Sequence, residues 1–135
     1  MSDYNVYIIE IMPRWHSLVA PGLADGKKCF YVGETSVAVA QRFKEHKTGR
    51  TTKERAIMTS GAVFRRIRNQ SGGESLRKRR DVVLRASLTR KYAPQPDGEA
   101  SRALEWEVVD ELRGQGHCVY PEKVGDTPFN SYRTD

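Results

Sequence analysis

Apolar residues fall on both faces of the first extended segment. From Tyr4 to Met12, Val6 and Ile8 alternate with Tyr7, Ile9 and Ile11. That is the pattern of a strand covered on both sides, and Pro13 ends it. Cys29–Gly33 predicts a second strand. Residues 13–28 between them carry Pro21-Gly22 and Asp25-Gly26, turn pairs that predict a loop or a long hairpin connection. Thr35 or Ser36 can cap a helix running to about Lys47, which Gly49 stops. Val63, Arg65 and Ile67 alternate with Phe64, Arg66 and Arg68, so residues 62–68 predict a third strand. Residues 50–61 carry no pattern beyond one helical turn. Glu74 to Tyr92 predicts a basic helix with Leu76, Val83 and Leu84 inward, and Glu99 to Arg113 predicts another, ended by Gly114 or Gly116. A short strand is expected over residues 117–120. The order strand, strand, helix, strand, helix, helix predicts an α/β sandwich around a small sheet.

Helical wheels change the picture from fold to chemistry. On the first helix Val39, Ala40 and Phe43 form the apolar stripe, and Arg42 and His46 lie one above the other along its edge. A guanidinium there can grip a phosphate through two parallel hydrogen bonds, and an imidazole beside it can donate to a phosphate oxygen or a leaving group. A surface helix with a charged border reads the same way. On the last helix Leu104, Val108, Val109 and Leu112 share one face, and Glu105 falls inside it. Glu107, Asp110 and Glu111 fall opposite. A buried carboxylate needs a cation. For Glu105 that cation is either a structural arginine or Mg²⁺, which is held by one or two carboxylates plus water and substrate phosphate. Tyr7 and Tyr31 stand on neighbouring strands, either as core residues or as phenols near cations that can take a proton from water.

Charge is unevenly spread. Residues 62–91 hold ten Lys/Arg against Glu74 and Asp81, a net of +8, which leaves −2 for the remainder of a chain carrying +6. Arg65, Arg66, Arg68, Arg77, Lys78, Arg79 and Arg80 are therefore candidate contacts to a nucleic-acid backbone, with a solvated helix face as the plainer alternative. At 135 residues, 38% hydrophobic and 30% charged, the chain predicts one globular domain over 1–125 with a tail at 126–135. No apolar run approaches the roughly 20 residues of a membrane span. The acidic, leaderless start and two cysteines, too few for a disulfide framework, predict a reducing cytoplasmic setting. His117-Cys118 has no second pair and is not read as a zinc site.

These residues, in this order, resemble the GIY-YIG nuclease superfamily. Asn5-Val6-Tyr7 is similar to the first strand motif and Tyr31-Val32-Gly33 to the second. Arg42 and His46 match the arginine and histidine of the following helix. Ala103-Leu104-Glu105-Trp106 matches the late glutamate and its aromatic neighbour. The resemblance runs from Tyr4 to about Leu112. It implies a small, mainly antiparallel three-stranded sheet flanked by helices, and hydrolysis of phosphodiester bonds in DNA with Mg²⁺ or Mn²⁺. By that resemblance Glu105 holds the metal, Arg42 stabilises the phosphate and Tyr7 is the base for the attacking water. Tyr31 and His46 support water, phosphate or leaving group. The chain departs from the pattern at Asn5, where the family has glycine, and at 13–28, which reads as an insertion. It also departs at Glu34 beside the second motif, and at the family's late asparagine, for which Asn130 is the candidate. Asn5 and Glu34 favour the alternative, a nucleic-acid-binding module of the same fold without catalysis.

Overall fold

Seven consecutive residue pairs zip the first two strands together. β1 (Asn5–Ile11) runs antiparallel to β2 (Cys29–Thr35), from Asn5 opposite Thr35 to Ile11 opposite Cys29. The computed structural model describes residues 4–49, 62–86, 89 and 94–121. The 126–135 tail, Asn130, Arg90, Lys91 and the turn expected within 50–61 lie outside them.

The sheet has four strands in the order β3-β1-β2-β4. β3 (Val82–Leu84) adds antiparallel to the outer edge of β1, while β4 (Cys118–Pro121) adds parallel to β2. The expected three-stranded antiparallel sheet is therefore corrected to a four-stranded mixed one. Pro121 is tolerated because β4 is an edge.

Two further expectations exchange places. Residues 62–68 are not a strand: they lie in helix α3 (Ala62–Gln70). An alternating strand would leave an arginine on each face. A helix gathers Val63, Phe64 and Ile67 onto one buried side and turns Arg65 and Arg66 outward. The segment from Glu74, expected to be helical, instead supplies β3. Val82-Val83-Leu84 is short and begins with two β-branched residues, and Ile9, Glu10 and Ile11 present it an open strand edge.

Helices cover both faces. On one, the short α1 (His16–Val19), α2 (Val39–Thr48) and α3 pack Val19, Phe43, Val63, Phe64 and Ile67 against Tyr7, Ile9, Ile11 and Tyr31. On the other, α4 (Gly98–Gly114) packs Val108, Val109 and Leu112 against Val6, Ile8, Phe30 and Val32. The two-sided apolar pattern of β1 follows from this layering. Residues 13–28 are more than a loop: a 3₁₀ turn (Pro13–Trp15) and α1 close one end of the core, with Trp15, Leu18 and Leu23 against it.

The start of α2 differs from the expectation. Ala38, not Thr35 or Ser36, precedes α2, because Thr35 stays in β2 and its Oγ1 accepts the Val37 N–H at 3.0 Å. Gly49 ends α2 in the left-handed region at φ 78°. Asp97 caps α4 by accepting the Ala100 N–H at 2.8 Å.

Candidate functional site

Alternation along β1 and β2 sends Tyr7 and Tyr31 to the same face, as diagonal neighbours across the pairs Tyr7–Gly33 and Ile9–Tyr31. Their ring centroids are 6.2 Å apart. Over them lies α2, which places Arg42 and His46 one turn apart, both buried. His46 Nε2 and Tyr7 Oη share a hydrogen bond of 2.8 Å. Tyr31 meets the imidazole edge-on at 4.9 Å, and Phe64 of α3 meets it at 4.7 Å. The result is a closed aromatic cluster with one imidazole and two phenols at its centre.

Arg42 is steered by a residue the sequence reading did not single out. Its Nη1 donates to Glu45 Oε1 at 3.0 Å, and Gln41 Nε2 donates to Glu45 Oε2 at 3.2 Å. Glu45 is buried. The i,i+3 spacing from Arg42 was the available signal.

Glu105 is fully buried, as the wheel places it. It stands on α4, which covers the opposite face of the sheet from the phenols and the imidazole. One turn earlier, Ser101 Oγ donates to Glu34 Oε1 at 2.7 Å. Glu34 thus turns toward α4 and away from Tyr7 and Tyr31. The structure brings Tyr7, Tyr31, Arg42 and His46 together on one face and puts Glu105 and Glu34 on the side of α4. Among the described residues no three His, Cys, Asp or Glu gather as a closed cage. An ion completed by water and phosphate oxygens needs an accessible carboxylate, and Glu105 is fully buried as it stands.

The basic segment divides into two kinds of residue. Arg66 Nη2 donates to the Leu18 carbonyl at 3.0 Å, and Arg68 Nη1 donates to the His46 carbonyl at 2.6 Å. These two fasten α3 to α1 and α2. Burial, and then neighbouring Arg65, push the Arg68 pKa down. Arg65 and the run Arg77-Lys78-Arg79-Arg80 are exposed. Arg85 pairs with buried Glu10 through Nε at 2.7 Å and through Nη2, and Lys28 Nζ lies 3.9 Å from the other Glu10 oxygen.

A cleft of about 510 Å³ lies at the other end of the strands, lined by Glu10, His16, Ser17, Asp25, Lys27 and Lys28 among others. It contains none of the candidate site residues named from the sequence. Cys29 and Cys118 are free thiols, register partners across β2 and β4 with Sγ atoms 3.4 Å apart. Among the described residues no helix is long and apolar enough to cross a membrane. No family model, curated protein or solved structure matches this chain.

Proposed function

We propose that this protein is a divalent-metal-dependent endonuclease that hydrolyses phosphodiester bonds in DNA by GIY-YIG-type chemistry. The observation that carries the reading is the Tyr7–His46 hydrogen bond, 2.8 Å long, with Tyr31 on the imidazole edge and Arg42 one turn back on the same helix. Those residues, in that chain order, are the ones whose chemistry the reaction needs.

The bond between Tyr7 and His46 serves a proton transfer in either direction. With Nε2 bare, the imidazole takes the phenol proton; with Nε2 protonated, it donates to a phenolate. Tyr7 is thereby the base for the attacking water, and His46 holds the proton at Nε2. Tyr31 packs the imidazole and fixes its plane. Arg42 supplies charge to the phosphate once its guanidinium exchanges Glu45 for phosphate oxygens, a bidentate geometry that arginine favours. By the resemblance Glu105 would hold Mg²⁺ or Mn²⁺, which would stabilise charge on a phosphoryl oxygen. Helix α4 sets it across the sheet from Tyr7, Arg42 and His46, so both halves act on one phosphate only after a rearrangement that brings them together.

One observation favours the second reading, a nucleic-acid-binding module of the same fold without catalysis. Tyr7, Tyr31, Arg42, His46 and Glu105 are all buried, and Arg42 already holds Glu45. A polar cluster so enclosed also serves as a specific core.

Cleavage assays separate the two. Full-length protein is incubated with Mg²⁺ or Mn²⁺ and a panel of single-stranded, duplex and branched DNAs and RNAs, beside Glu105→Gln and beside EDTA. The hydrolase reading expects nicked DNA from the wild type and none from Glu105→Gln or with EDTA. Arg42→Ala is expected to lose rate by about 10²-fold, the scale of one lost transition-state donor. Binding without product on every substrate assigns the module reading, and a fully active Glu105→Gln protein removes the metal-ligand role.

A further inference from the structure

The cations of this chain are not equivalent. Among the described residues the ion pairs join Arg14 to Asp81, Lys28 and Arg85 to Glu10, and Arg42 to Glu45. Lys44, Lys47, Arg77, Lys78, Arg79 and Arg80 enter none of them. Lys44, exposed, and Lys47, half-buried, lie three residues apart on α2, the helix that also carries Arg42 and His46. The chain after α3 returns to this point: the Leu76 N–H donates to the Lys47 carbonyl at 2.8 Å, and the basic run follows directly. Lys47 rests over the Phe43 ring at 4.6 Å. Burial, followed by the ammonium groups of Lys78 and Lys44, lowers its pKa. The Leu76–Lys47 backbone bond thus brings Lys78, two residues on, to the patch of Lys44 and Lys47. Lysine near a helix C-terminus has a dipole rationale, but that rationale does not bring Lys78 to the same patch.

The basic run is also held in a fixed shape. Asp81 Oδ2 accepts the Arg77 N–H and Asp81 Oδ1 accepts Trp15 Nε1, each at 2.7 Å, while the Arg79 N–H reaches the Val82 carbonyl at 2.7 Å. Arg79 sits at φ 73°, the one non-glycine at positive φ among the described residues. The turn thus holds an arginine in a backbone conformation that glycine would favour by roughly 1 kcal/mol or more. Arg66 and Arg68, by contrast, each give one guanidinium nitrogen to a backbone carbonyl within the fold.

We infer that a nucleic-acid backbone is held on Lys44 and Lys47 of α2 together with the Arg77–Arg80 turn, while Arg66 and Arg68 act as pins of the fold rather than as phosphate contacts. The inference rests on the nucleic-acid reading above and names the surface it uses. A polyanion with regularly spaced phosphates fits an anchored row of cations free of carboxylate partners, and each contact releases counterions.

The test is the salt dependence of binding. Fluorescence anisotropy of a labelled DNA 20-mer, single-stranded and duplex, is followed in EDTA with the full chain across a salt series. K44Q/K47Q/K78Q is expected to weaken binding by roughly 10²-fold at 0.1 M salt and to flatten the log–log salt slope by about 3 on duplex and about 2 on single strands, about 0.9 and 0.7 per lost phosphate contact. R66Q and R68Q, measured singly, are expected to lower the melting temperature and leave the slope unchanged. Should R68Q not fold, R66Q and the lysine variant decide the matter alone. A wild-type slope in the lysine variant, or a slope change confined to the arginine variants, overturns the inference and leaves the nucleic-acid reading standing. Failure of the wild type to bind any DNA at low salt, with binding to polyglutamate instead, overturns both. Binding with the expected slope loss but no cleavage in Mg²⁺ supports the surface and removes only the hydrolase reading.

Discussion

Tyr7 and His46, 39 residues apart in the chain, share a 2.8 Å hydrogen bond inside the core. Tyr7→Phe removes that bond and little volume. It is expected to lower stability by about 1 kcal/mol. A double-mutant cycle with His46→Gln, read by urea midpoints, is expected to show a coupling of about 0.5 kcal/mol or more. Additive losses would show that the pair does not act as a unit, and would weaken its assignment as a proton relay.

Gly49 is fixed by two separate constraints. Its φ is 78°, and a Cβ there would stand 2.8 Å from the Arg68 guanidinium, which itself holds the His46 carbonyl. Gly49→Ala is expected to cost about 1–2 kcal/mol from the left-handed backbone alone. Combining it with Arg68→Ala is expected to cost less than the sum of the single changes, since the steric part disappears with the guanidinium. Chemical denaturation of the three variants measures this.

Asp81 ties the basic turn to the start of the 13–28 segment. Its two oxygens accept Trp15 Nε1 and the Arg77 N–H, and its backbone carbonyl accepts the Met12 N–H at 3.0 Å. Asp81→Ala takes both side-chain acceptors from partly buried donors. It is expected to destabilise by about 2 kcal/mol or more. The emission of Trp15 is expected to shift to the red in the native state; unchanged fluorescence and stability would contradict the anchoring role.

His117 accepts the Lys28 N–H at Nδ1, 3.0 Å away, so the fold holds its imidazole with that nitrogen bare. Burial, and then Lys27 and Lys28, push its pKa below the usual histidine value, against a smaller pull from Glu10. The unfolded chain therefore takes up the proton at a higher pH than the folded one. Stability is expected to be fully present above about pH 6.5 and to fall as pH drops from there toward the lowered folded pKa. His117→Asn is expected to remove that part of the slope. Urea midpoints for both proteins between about pH 5 and pH 7.5 check it.

Much of this architecture is written in local pattern. Strands β1 and β2, the stop at Gly49, the α4 stripe and the inward position of Glu105 follow from the periodicity of single elements, because burial of one face repeats every two residues in a strand and every 3.6 in a helix. The two candidate phenols, the arginine and the histidine could be named for the same reason. Residues 62–84 could not be assigned correctly. Val63, Phe64 and Ile67 fit either period over so short a stretch, and Val82–Leu84 became a strand because β1 offered it an edge.

What only the tertiary structure decided is which distant groups meet. Nothing local in the sequence indicates that β4 pairs parallel to β2, that Arg66 and Arg68 end on the carbonyls of Leu18 and His46, or that Lys78 comes beside Lys47. Nor does any local pattern put Glu105 on the helix over the face opposite Tyr7 and Tyr31. The physical reason is the same throughout. Hydrophobic periodicity records that a side chain leaves water, whereas its hydrogen-bond or charge partner is chosen by packing between segments far apart in the chain.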